Sequence, residues 1–152
     1  MVSKVLVATD GSQNAREAIA HASDIALKYN ATIYLVHVVP KKDIPFEVQH
    51  YIQVEGITES PEQVYYERIG EGIIQAGLKE IKEKGIKYVE SFLLQGDPAD
   101  KITEFARERG VDMIVMGSRG LGGIKQMFLG SVSRAVCNVA ACTCVTVKQS
   151  LP

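Results

Sequence analysis

MIVMGSRGLGGIKQMFLGSVS, the stretch Met113–Ser133, sets an apolar, strand-like run against a glycine-rich loop that leads into a helix. Its skeleton is Gly117-x2-Gly120-x9-Gly130-Ser131. Glycine lets a backbone approach a ligand closely, and a helix that begins near Ser131 presents unpaired N–H groups and the positive end of its dipole. A phosphate-binding loop has these features. A flexible connection between a strand and a helix has a similar composition, so the loop alone leaves both interpretations open.

The remainder of the chain repeats this order of strand and helix. Apolar runs rich in β-branched residues predict five strands, at Lys4–Thr9, Thr32–Val39, Lys87–Leu94, Asp112–Met116 and Thr143–Lys148. Helical periodicity and capping residues predict helices between them, at about 13–30, 60–85, 97–110 and 131–140. Strands separated by helices of this length form a parallel sheet with right-handed crossovers. The expected fold is therefore α/β, an open five-stranded parallel sheet with helices on both faces.

The chain is expected to fold as a single domain over residues 1–152. Its 152 residues fit one domain of ordinary size, and no internal repeat or low-complexity tract suggests a second. Residues 41–59 form the one long connection without predicted secondary structure, and such insertions are usually functional or mobile. We therefore predict a flexible insertion there.

Composition and charge argue against several classes of partner. The formal net charge is −1 and no basic cluster stands out, which argues against nucleic acid as an electrostatically bound partner. No apolar run approaches the ~18 residues that suggest a membrane span, and no signal-peptide pattern follows Met1. Cys137, Cys142 and Cys144 give no disulfide framework. We expect a cytoplasmic protein without a membrane partner, whose cysteines are structural or, alternatively, redox-active.

Three chain segments are expected to converge at one edge of the sheet. In an open α/β sheet, ligands bind beyond the carboxyl ends of the strands, where the strand order reverses. The first strand delivers Thr9 and Asp10 to this edge, and the second delivers Val38. The fourth delivers Met116 and Gly117, followed by the glycine-rich loop. The sequence therefore predicts a ligand site at this edge.

Several side chains at this edge allow more than one interpretation. Asp10 could bind a ribose hydroxyl or a metal-bound phosphate, or it could cap the first helix. Ser131 and Ser133 could be helix caps, phosphate ligands or both. Arg119 lies within the loop and could pair with a phosphate, although an exposed loop arginine is often only solvated. All four side chains are candidates for the binding of a phosphorylated ligand.

The loop differs from the better-known nucleotide-binding signatures. The chain has neither Gly-x4-Gly-Lys-Ser/Thr nor a Gly-x-Gly-x-x-Gly after its first strand, so it is neither a P-loop NTPase nor a dehydrogenase. A Ser/His/Asp or Cys/His arrangement is not evident. His37 lies within a predicted buried strand and is interpreted as a core residue. We therefore predict no catalytic residue.

On these residues the chain resembles the universal stress protein family, in its ATP-binding subgroup. The matching segments are ATDGS, LVHVV, the GDP helix start, GVDMIVMGSRG and LGSVSRAV. The Gly-x2-Gly-x9-Gly-Ser motif is the marker of the subgroup and is complete here. The resemblance implies a Rossmann-like, adenine nucleotide α-hydrolase-like fold with strand order 3-2-1-4-5. It also implies ATP as the ligand, with Mg²⁺ or Mn²⁺ as an accompanying ion.

The same resemblance suggests a function for each residue of the site. Asp10 and Val38 would serve the ribose and the adenine, Val38 through its backbone, and Thr9 belongs to the same segment as Asp10. The ribose and phosphate path would be lined by Met116, Gly117, Arg119, Gly120, Gly130, Ser131, Val132 and Ser133.

A homodimer is a further implication of the resemblance, because family members typically pair their fifth strands antiparallel. The terminal run CVTVK is a suitable exposed edge. Family members commonly have Cys-Pro-Val before this strand, whereas this chain has Cys142-Thr143-Cys144. This difference bears on the geometry of the edge.

Three functions are compatible with these observations. The first is a nucleotide-dependent regulatory or stress-response module with little or no turnover. The second is a slow metal-dependent ATPase or nucleotide-cleaving enzyme that uses Asp10. The third is a thiol- or metal-responsive interaction protein that works through its cysteines. Single-turnover product analysis separates the first two, and thiol titration tests the third.

Overall fold

The parallel sheet predicted from the sequence is the centre of the fold. The computed structural model describes residues 1–41, 44–119 and 129–149. The strands in these ranges are β1 (Lys4–Ala8), β2 (Thr32–Val39), β3 (Val89–Gln95), β4 (Met113–Gly117) and β5 (Thr143–Val147). All neighbouring pairs are parallel, and the order is β3-β2-β1-β4-β5. The predicted open five-stranded parallel sheet is confirmed.

Helices connect the strands. The described ones are α1 (Gln13–Tyr29), α2 (Phe46–Val54), α3 (Pro61–Val64), a π-helical segment (Tyr65–Gly70), α4 (Glu71–Glu83), α5 (Pro98–Arg109) and α6 (Ser131–Val139). Side-chain oxygens of Ser12, Ser60 and Asp97 cap α1, α3 and α5. Asn30 and Gly110 close α1 and α5 in the left-handed conformation. No helix in the described ranges is long and apolar enough to cross a lipid bilayer.

Both faces of the sheet are buried under helices. On one face, Val7 and Leu35 pack against α1 and α4. On the other face, Ile114 packs against α5 and α6 through Phe105 and Val136. Because β1, β2 and β4 are covered on both sides, their sequences are nearly continuous apolar runs rather than alternating ones.

The connection between β2 and α3 is more ordered than the sequence suggested. The prediction was a flexible insertion without secondary structure over residues 41–59, but α2 occupies Phe46–Val54. Ile52 is the buried residue of this helix, and Ile44 just before it is buried as well. One buried position in a helix of 9 residues leaves no apolar stripe for a periodicity argument, and the helix was missed for that reason.

The helix predicted over residues 60–85 is continuous but irregular. Between α3 and α4 its backbone widens into the π-helical segment. Two glycines bring it close to the sheet. A Cβ at Gly70 would lie 3.0 Å from Leu93 Cδ1, and one at Gly77 would lie 2.9 Å from Leu35 Cδ2. These contacts hold the π-helical segment beside the edge at which β2 ends.

Candidate functional site

The central strand β1 ends between β2 and β4. Ala8 pairs with Val36, while Val7 pairs with Leu35 on one side and with Val115 on the other. Because the strands are parallel, the segments that follow β1, β2 and β4 meet at one edge of the sheet. The strand order also reverses here, since the chain fills the β2–β3 side first and the β4–β5 side later. The convergence predicted from the sequence is therefore present.

The turn after β1 is closed by its own side chains. Thr9 Oγ1 accepts a hydrogen bond from the Gly11 N–H at 3.2 Å, and Asp10 Oδ1 accepts one from the Ser12 N–H at 2.9 Å. Ser12 Oγ in turn caps α1 by accepting from the Ala15 N–H at 3.2 Å. The alternative that Asp10 caps α1 is therefore wrong. Ser12, not Asp10, is the N-cap residue of α1. The half-buried Asp10 carboxylate stabilises the turn before the helix through its bond to the Ser12 N–H.

A buried histidine supports this turn from the neighbouring strand. His37 of β2 is 4% exposed, and its Nδ1 lies 2.7 Å from the carbonyl oxygen of Thr9. Because a carbonyl oxygen only accepts, Nδ1 carries the proton, and Nε2 has no hydrogen-bond partner among the described residues. Burial lowers the pKa of His37, and the Thr9 carbonyl and the Asp10 charge oppose that shift. The prediction that His37 is a core residue is confirmed. Its contact with the turn after β1 was not predicted from the sequence.

The π-helical segment borders the same turn. Burial raises the pKa of the Tyr65 phenol, and the negative charge of Asp10 raises it further. The neighbouring Tyr66 donates its hydroxyl hydrogen to the Leu93 carbonyl at 3.0 Å, which fixes the segment against β3. Neither tyrosine was predicted from the sequence, because no local pattern connects them with a turn more than fifty positions earlier in the chain.

The start of α6 is hydrogen-bonded to the end of β4 through Ser118. The Ser118 carbonyl accepts from the Gly130 N–H at 2.6 Å and from Ser133 Oγ at 3.0 Å, while the Ser118 N–H donates to Val147 at 2.8 Å. Ser118 is 1% exposed. It was not predicted from the sequence, because it makes these contacts through its own backbone and with residues at least 12 positions away. The Ser133 hydroxyl is not a helix cap, since Ser133 is the third residue of α6 and its hydroxyl lies against the carbonyl oxygens of Ser118 and Gly130.

No side chain among the described residues caps α6. Its N-cap is Gly130, which has no side chain, and its first turn contains no acidic residue. The first N–H groups of a helix have no acceptors within that helix. The backbone of Arg119 lies next to the N-cap, since a Cβ at Gly130 would be 3.4 Å from Arg119 Cα. This helix start is therefore electropositive and suited to an anion.

The first glycine of the motif has a packing function. A Cβ at Gly117 would lie 2.8 Å from Asn14 Cβ and 2.9 Å from the Asn14 backbone carbon, so the position accepts only glycine without a shift of α1. Asn14 is itself buried, and its Oδ1 has no hydrogen-bond partner among the described residues. Gly117 thus sets the distance between the end of β4 and the first turn of α1.

The predicted site residues differ in what they can offer a ligand. Thr9, Val38 and Met116 are 6%, 7% and 4% exposed, so a ligand would reach mainly their backbone. Ser133 is buried as well. Gly120 lies outside the described residues. The remaining members are half-buried or exposed and lie at the edge: Asp10, Gly117, Arg119, Gly130, Ser131 and Val132.

Comparison with known proteins identifies the family. Residues 1–148 match the profile of the Universal stress protein family. The chain belongs to this family. Universal stress protein MJ0531 of Methanocaldococcus jannaschii is 34% identical over 146 residues, which cover 96% of this chain and 82% of the relative. Universal stress protein YxiE of Bacillus subtilis is 33% identical over 155 residues, covering 97% of this chain and 100% of the relative.

Solved structures of universal stress proteins share this architecture. Protein MJ0577 of M. jannaschii superposes with a TM-score of 0.80 at 25% identity, covering 100% of this chain and 99% of the other. A universal stress protein in complex with cAMP gives 0.72 at 24% identity, covering 98% of both chains. One from Archaeoglobus fulgidus in complex with dAMP gives 0.68 at 22% identity, covering 97% and 98%. These likenesses establish the Rossmann-like α/β fold.

Proposed function

We propose that this universal stress protein belongs to the ATP-binding subgroup. ATP would bind at the edge formed by β1, β2, β4 and α6, with Mg²⁺ or Mn²⁺ as the accompanying ion. Binding would serve a nucleotide-dependent regulatory or stress-response function with little or no turnover. The observation that carries the proposal is the start of α6, a helix end that follows a glycine-rich loop and has no side-chain cap within residues 1–41, 44–119 and 129–149.

The phosphates would bind at this helix start. Gly130 adopts extended backbone with φ −71° and ψ 168°, and its N–H is held by the Ser118 carbonyl. Gly130 has no side chain, and none of the side chains that the structure describes caps this turn, so its N–H groups are suited to an external acceptor. Ser131 and Val132 are exposed there, and the backbone of Arg119, whose guanidinium would pair with a phosphate, lies next to Gly130. An acidic side chain, which would repel phosphate, does not occur in this turn.

The adenosine would bind between the ends of β1 and β2. Thr9 N–H donates to the Val36 carbonyl, so the polar backbone groups of Val36 face β1. Those of Val38, two residues later, face the same side. Because β1 ends at Ala8, which pairs with Val36, the polar backbone groups of Val38 lie beyond the paired part of β1. They are therefore suited to the edge of an adenine ring, with the Asp10 carboxylate close by for the ribose.

The accompanying metal ion fits the site only as a partner of the phosphates. A group of three or more histidine, cysteine, aspartate or glutamate side chains suited to a metal is not found in the described ranges. Mg²⁺ in nucleotide sites is usually held by one or two carboxylates together with the phosphates. Asp10 is the carboxylate of this edge that fits such a site. Related universal stress proteins in complex with cAMP and dAMP support an adenine nucleotide as the ligand.

The proposal is tested by calorimetry on the purified protein. ATP with Mg²⁺ should bind to one site per chain, and GTP should bind at least tenfold more weakly, since its base presents a carbonyl where adenine has an amino group. Mass spectrometry of the denatured protein identifies any nucleotide that copurifies. A protein that binds neither ATP nor AMP, with or without Mn²⁺, contradicts the proposal. Product analysis after a single turnover decides whether the protein binds ATP without cleaving it or is a slow nucleotide-cleaving enzyme.

The proposal includes a cytoplasmic homodimer that pairs through β5. This strand is at the end of the sheet order, with β4 on one side only. The Val147 carbonyl accepts from Ser118 in the direction of β4, so the polar backbone groups of Cys144 and Thr146 face the free edge. Antiparallel pairing of residues 144–148 in two chains would satisfy them.

Proline at position 146 tests this dimer. Thr146→Pro removes a donor from the free edge and leaves the β4 ladder intact, so it should shift the protein from dimer to monomer without unfolding it. Val145→Pro is the matched control, because it removes a donor that faces β4 and should destabilise the fold itself. Sedimentation velocity at tens of micromolar measures both. A wild type that sediments as a monomer contradicts the dimer.

A further inference from the structure

The backbone ladder between β1 and β2 stops at Thr9. The two strands pair in register up to Ala8 and Val36, and the same register would place Thr9 opposite His37. The Thr9 N–H still follows the ladder, because it donates to the Val36 carbonyl at 2.9 Å. In a parallel ladder the next bond would run from the Val38 N–H to the Thr9 carbonyl. No such backbone bond forms in the described part of the chain.

The His37 side chain takes the place of this missing bond. Its Nδ1 donates to the Thr9 carbonyl at 2.7 Å, so the acceptor that the ladder would use next binds an imidazole instead. Val38 follows His37 directly, and its polar backbone groups face β1. The Val38 N–H therefore points to the ligand edge and finds no backbone acceptor in the described turn after β1.

Packing on one face of β2 holds the imidazole in this position. His37 shares that face with Leu35 and Val39, since side chains alternate along a strand. A Cβ at Gly77 would lie 2.9 Å from Leu35 Cδ2. A Cβ at Gly70 would lie 3.1 Å from Val39 Cγ2. His37 lies between these two close contacts and is 4% exposed, so its ring has little room to leave the carbonyl.

We propose that His37 is a positioning residue for the nucleotide, because it ends the ladder early and keeps the Val38 N–H available to a ring nitrogen of adenine. Such a nitrogen accepts a hydrogen bond, and an N–H already paired with the Thr9 carbonyl could not donate to it fully. This function of His37 rests on the proposed binding of an adenine nucleotide. The imidazole acts through the Thr9 carbonyl and not through contact with the ligand.

Removal of the imidazole should let the ladder continue. In His37→Leu an apolar side chain of similar size fills the space, and the Thr9 carbonyl loses its donor. A buried carbonyl without a donor is unfavourable, so the Val38 N–H, the next donor of the ladder, should pair with it. The variant should therefore keep the fold and lose the group that the base requires.

Amide hydrogen exchange, measured by NMR on the full chain without nucleotide, tests this step directly. In the wild type the Val38 N–H should exchange about tenfold faster, or more, than the N–H of Val36, which lies in the paired part of the same strand. In His37→Leu the two rates should become similar. Because both amides belong to one protein, their ratio is independent of a change in global stability. A wild-type Val38 amide as protected as that of Val36 would overturn the proposal.

Calorimetry with ATP and with tripolyphosphate, each with Mg²⁺, separates the base from the phosphates. His37→Leu should lower the affinity for ATP about tenfold and leave that for tripolyphosphate unchanged, since tripolyphosphate has no base. His37→Asn should restore ATP affinity, because its amide nitrogen is as many bonds from the backbone as Nδ1. His37→Gln is the matched control, since its amide nitrogen is one bond farther away and should not restore it.

Three calorimetric results would overturn the proposal. They are full ATP affinity in His37→Leu, equal losses of ATP and tripolyphosphate affinity in that variant, and equal ATP affinity in His37→Asn and His37→Gln. If His37→Leu does not fold, the asparagine and glutamine variants decide. If the wild type binds no adenine nucleotide, the proposed function fails, and the exchange rates of Val38 and Val36 still decide whether His37 ends the ladder.

Discussion

Two helices begin at the same edge of the sheet, and they begin differently. α1 starts at Ser12, whose hydroxyl accepts from the Ala15 N–H at 3.2 Å. α6 starts at Gly130, which offers no side chain, and the nearby Ser133 hydroxyl donates to the Ser118 carbonyl at 3.0 Å. The first helix has a side-chain cap on one of its terminal N–H groups, whereas no side chain in the described part of the chain caps the second. The comparison agrees with the proposal that α6, rather than α1, is the helix that binds the phosphates.

The largest expected effect concerns Gly117, which packs against the first turn of α1. Gly117→Ala places a Cβ 2.8 Å from Asn14 Cβ, and the backbone must move to relieve the overlap. We expect the free energy of unfolding to fall by about 2 kcal/mol. Gly72→Ala is the matched control, because a Cβ at Gly72 meets nothing within 4 Å. Equal stability of the two variants in urea unfolding would show that Gly117 does not set the distance between β4 and α1.

The next effect is on nucleotide affinity and concerns the open helix start. Gly130→Val should keep the fold, because the φ of −71° is accessible to any residue, but its branched side chain covers the N–H groups. ATP affinity should fall at least tenfold, or about 1.4 kcal/mol, in calorimetry. Gly130→Ser sharpens the comparison. It supplies the cap that α1 already has, so it should lower ATP affinity without loss of stability. Unchanged ATP affinity in both variants would reject this helix start as the phosphate site.

A paired experiment separates the two functions of the turn after β1. Ser12→Ala removes the cap of α1 and should cost about 1 kcal/mol of stability, with ATP affinity unchanged. Asp10→Ala should weaken ATP binding several-fold and leave the fold intact. Thermal unfolding and calorimetry on both variants measure the two effects. If Asp10→Ala altered only the melting temperature, Asp10 would be a residue of the turn and not of the site.

The smallest expected effect is the pH dependence that His37 contributes. Because burial lowers the pKa of His37 in the folded state, the unfolded chain binds more protons as the pH falls below the ordinary value of 6.5. Stability from this residue is therefore fully present above pH 6.5 and declines toward pH 5. His37→Asn should flatten this part of the profile in thermal unfolding from pH 5 to pH 8. A wild type equally stable across that range would contradict the assigned neutral imidazole.

Local sequence patterns predicted the elements that local forces determine. The first and last residues of β2 were both predicted correctly, because a strand buried on both faces is apolar throughout. Capping residues helped to predict the helices over 60–85 and 97–110, since a cap such as Ser60 or Asp97 accepts from a backbone N–H only three positions later. The convergence of Thr9, Val38 and Gly117 followed from the rule for parallel sheets. These parts of the fold and of the candidate site could be inferred before the structure.

Contacts between distant segments could not be inferred in this way. His37 and Thr9 are 28 positions apart, and their hydrogen bond depends on the register of two strands. Gly117 and Asn14 touch because β4 lies next to β1, which no local pattern indicates. The helix α2 was missed because its sequence contains little apolar periodicity. The sequence thus identified where the site lies but not how its turn is supported.

The central position of β1 affects when the candidate site comes into existence. Ser3 donates to the Asp112 carboxylate at 2.9 Å across 109 positions of the chain, so the pairing of β1 with β4 closes a very long loop. During synthesis β1, β2 and β3 can assemble on the ribosome, with α1 already capped, while β4 and α6 have not yet been made. Long-range pairings of this kind form late and slowly. A nascent or truncated chain would therefore have most of a sheet and no place for a ligand, and any ligand of the finished edge would favour only the completed fold.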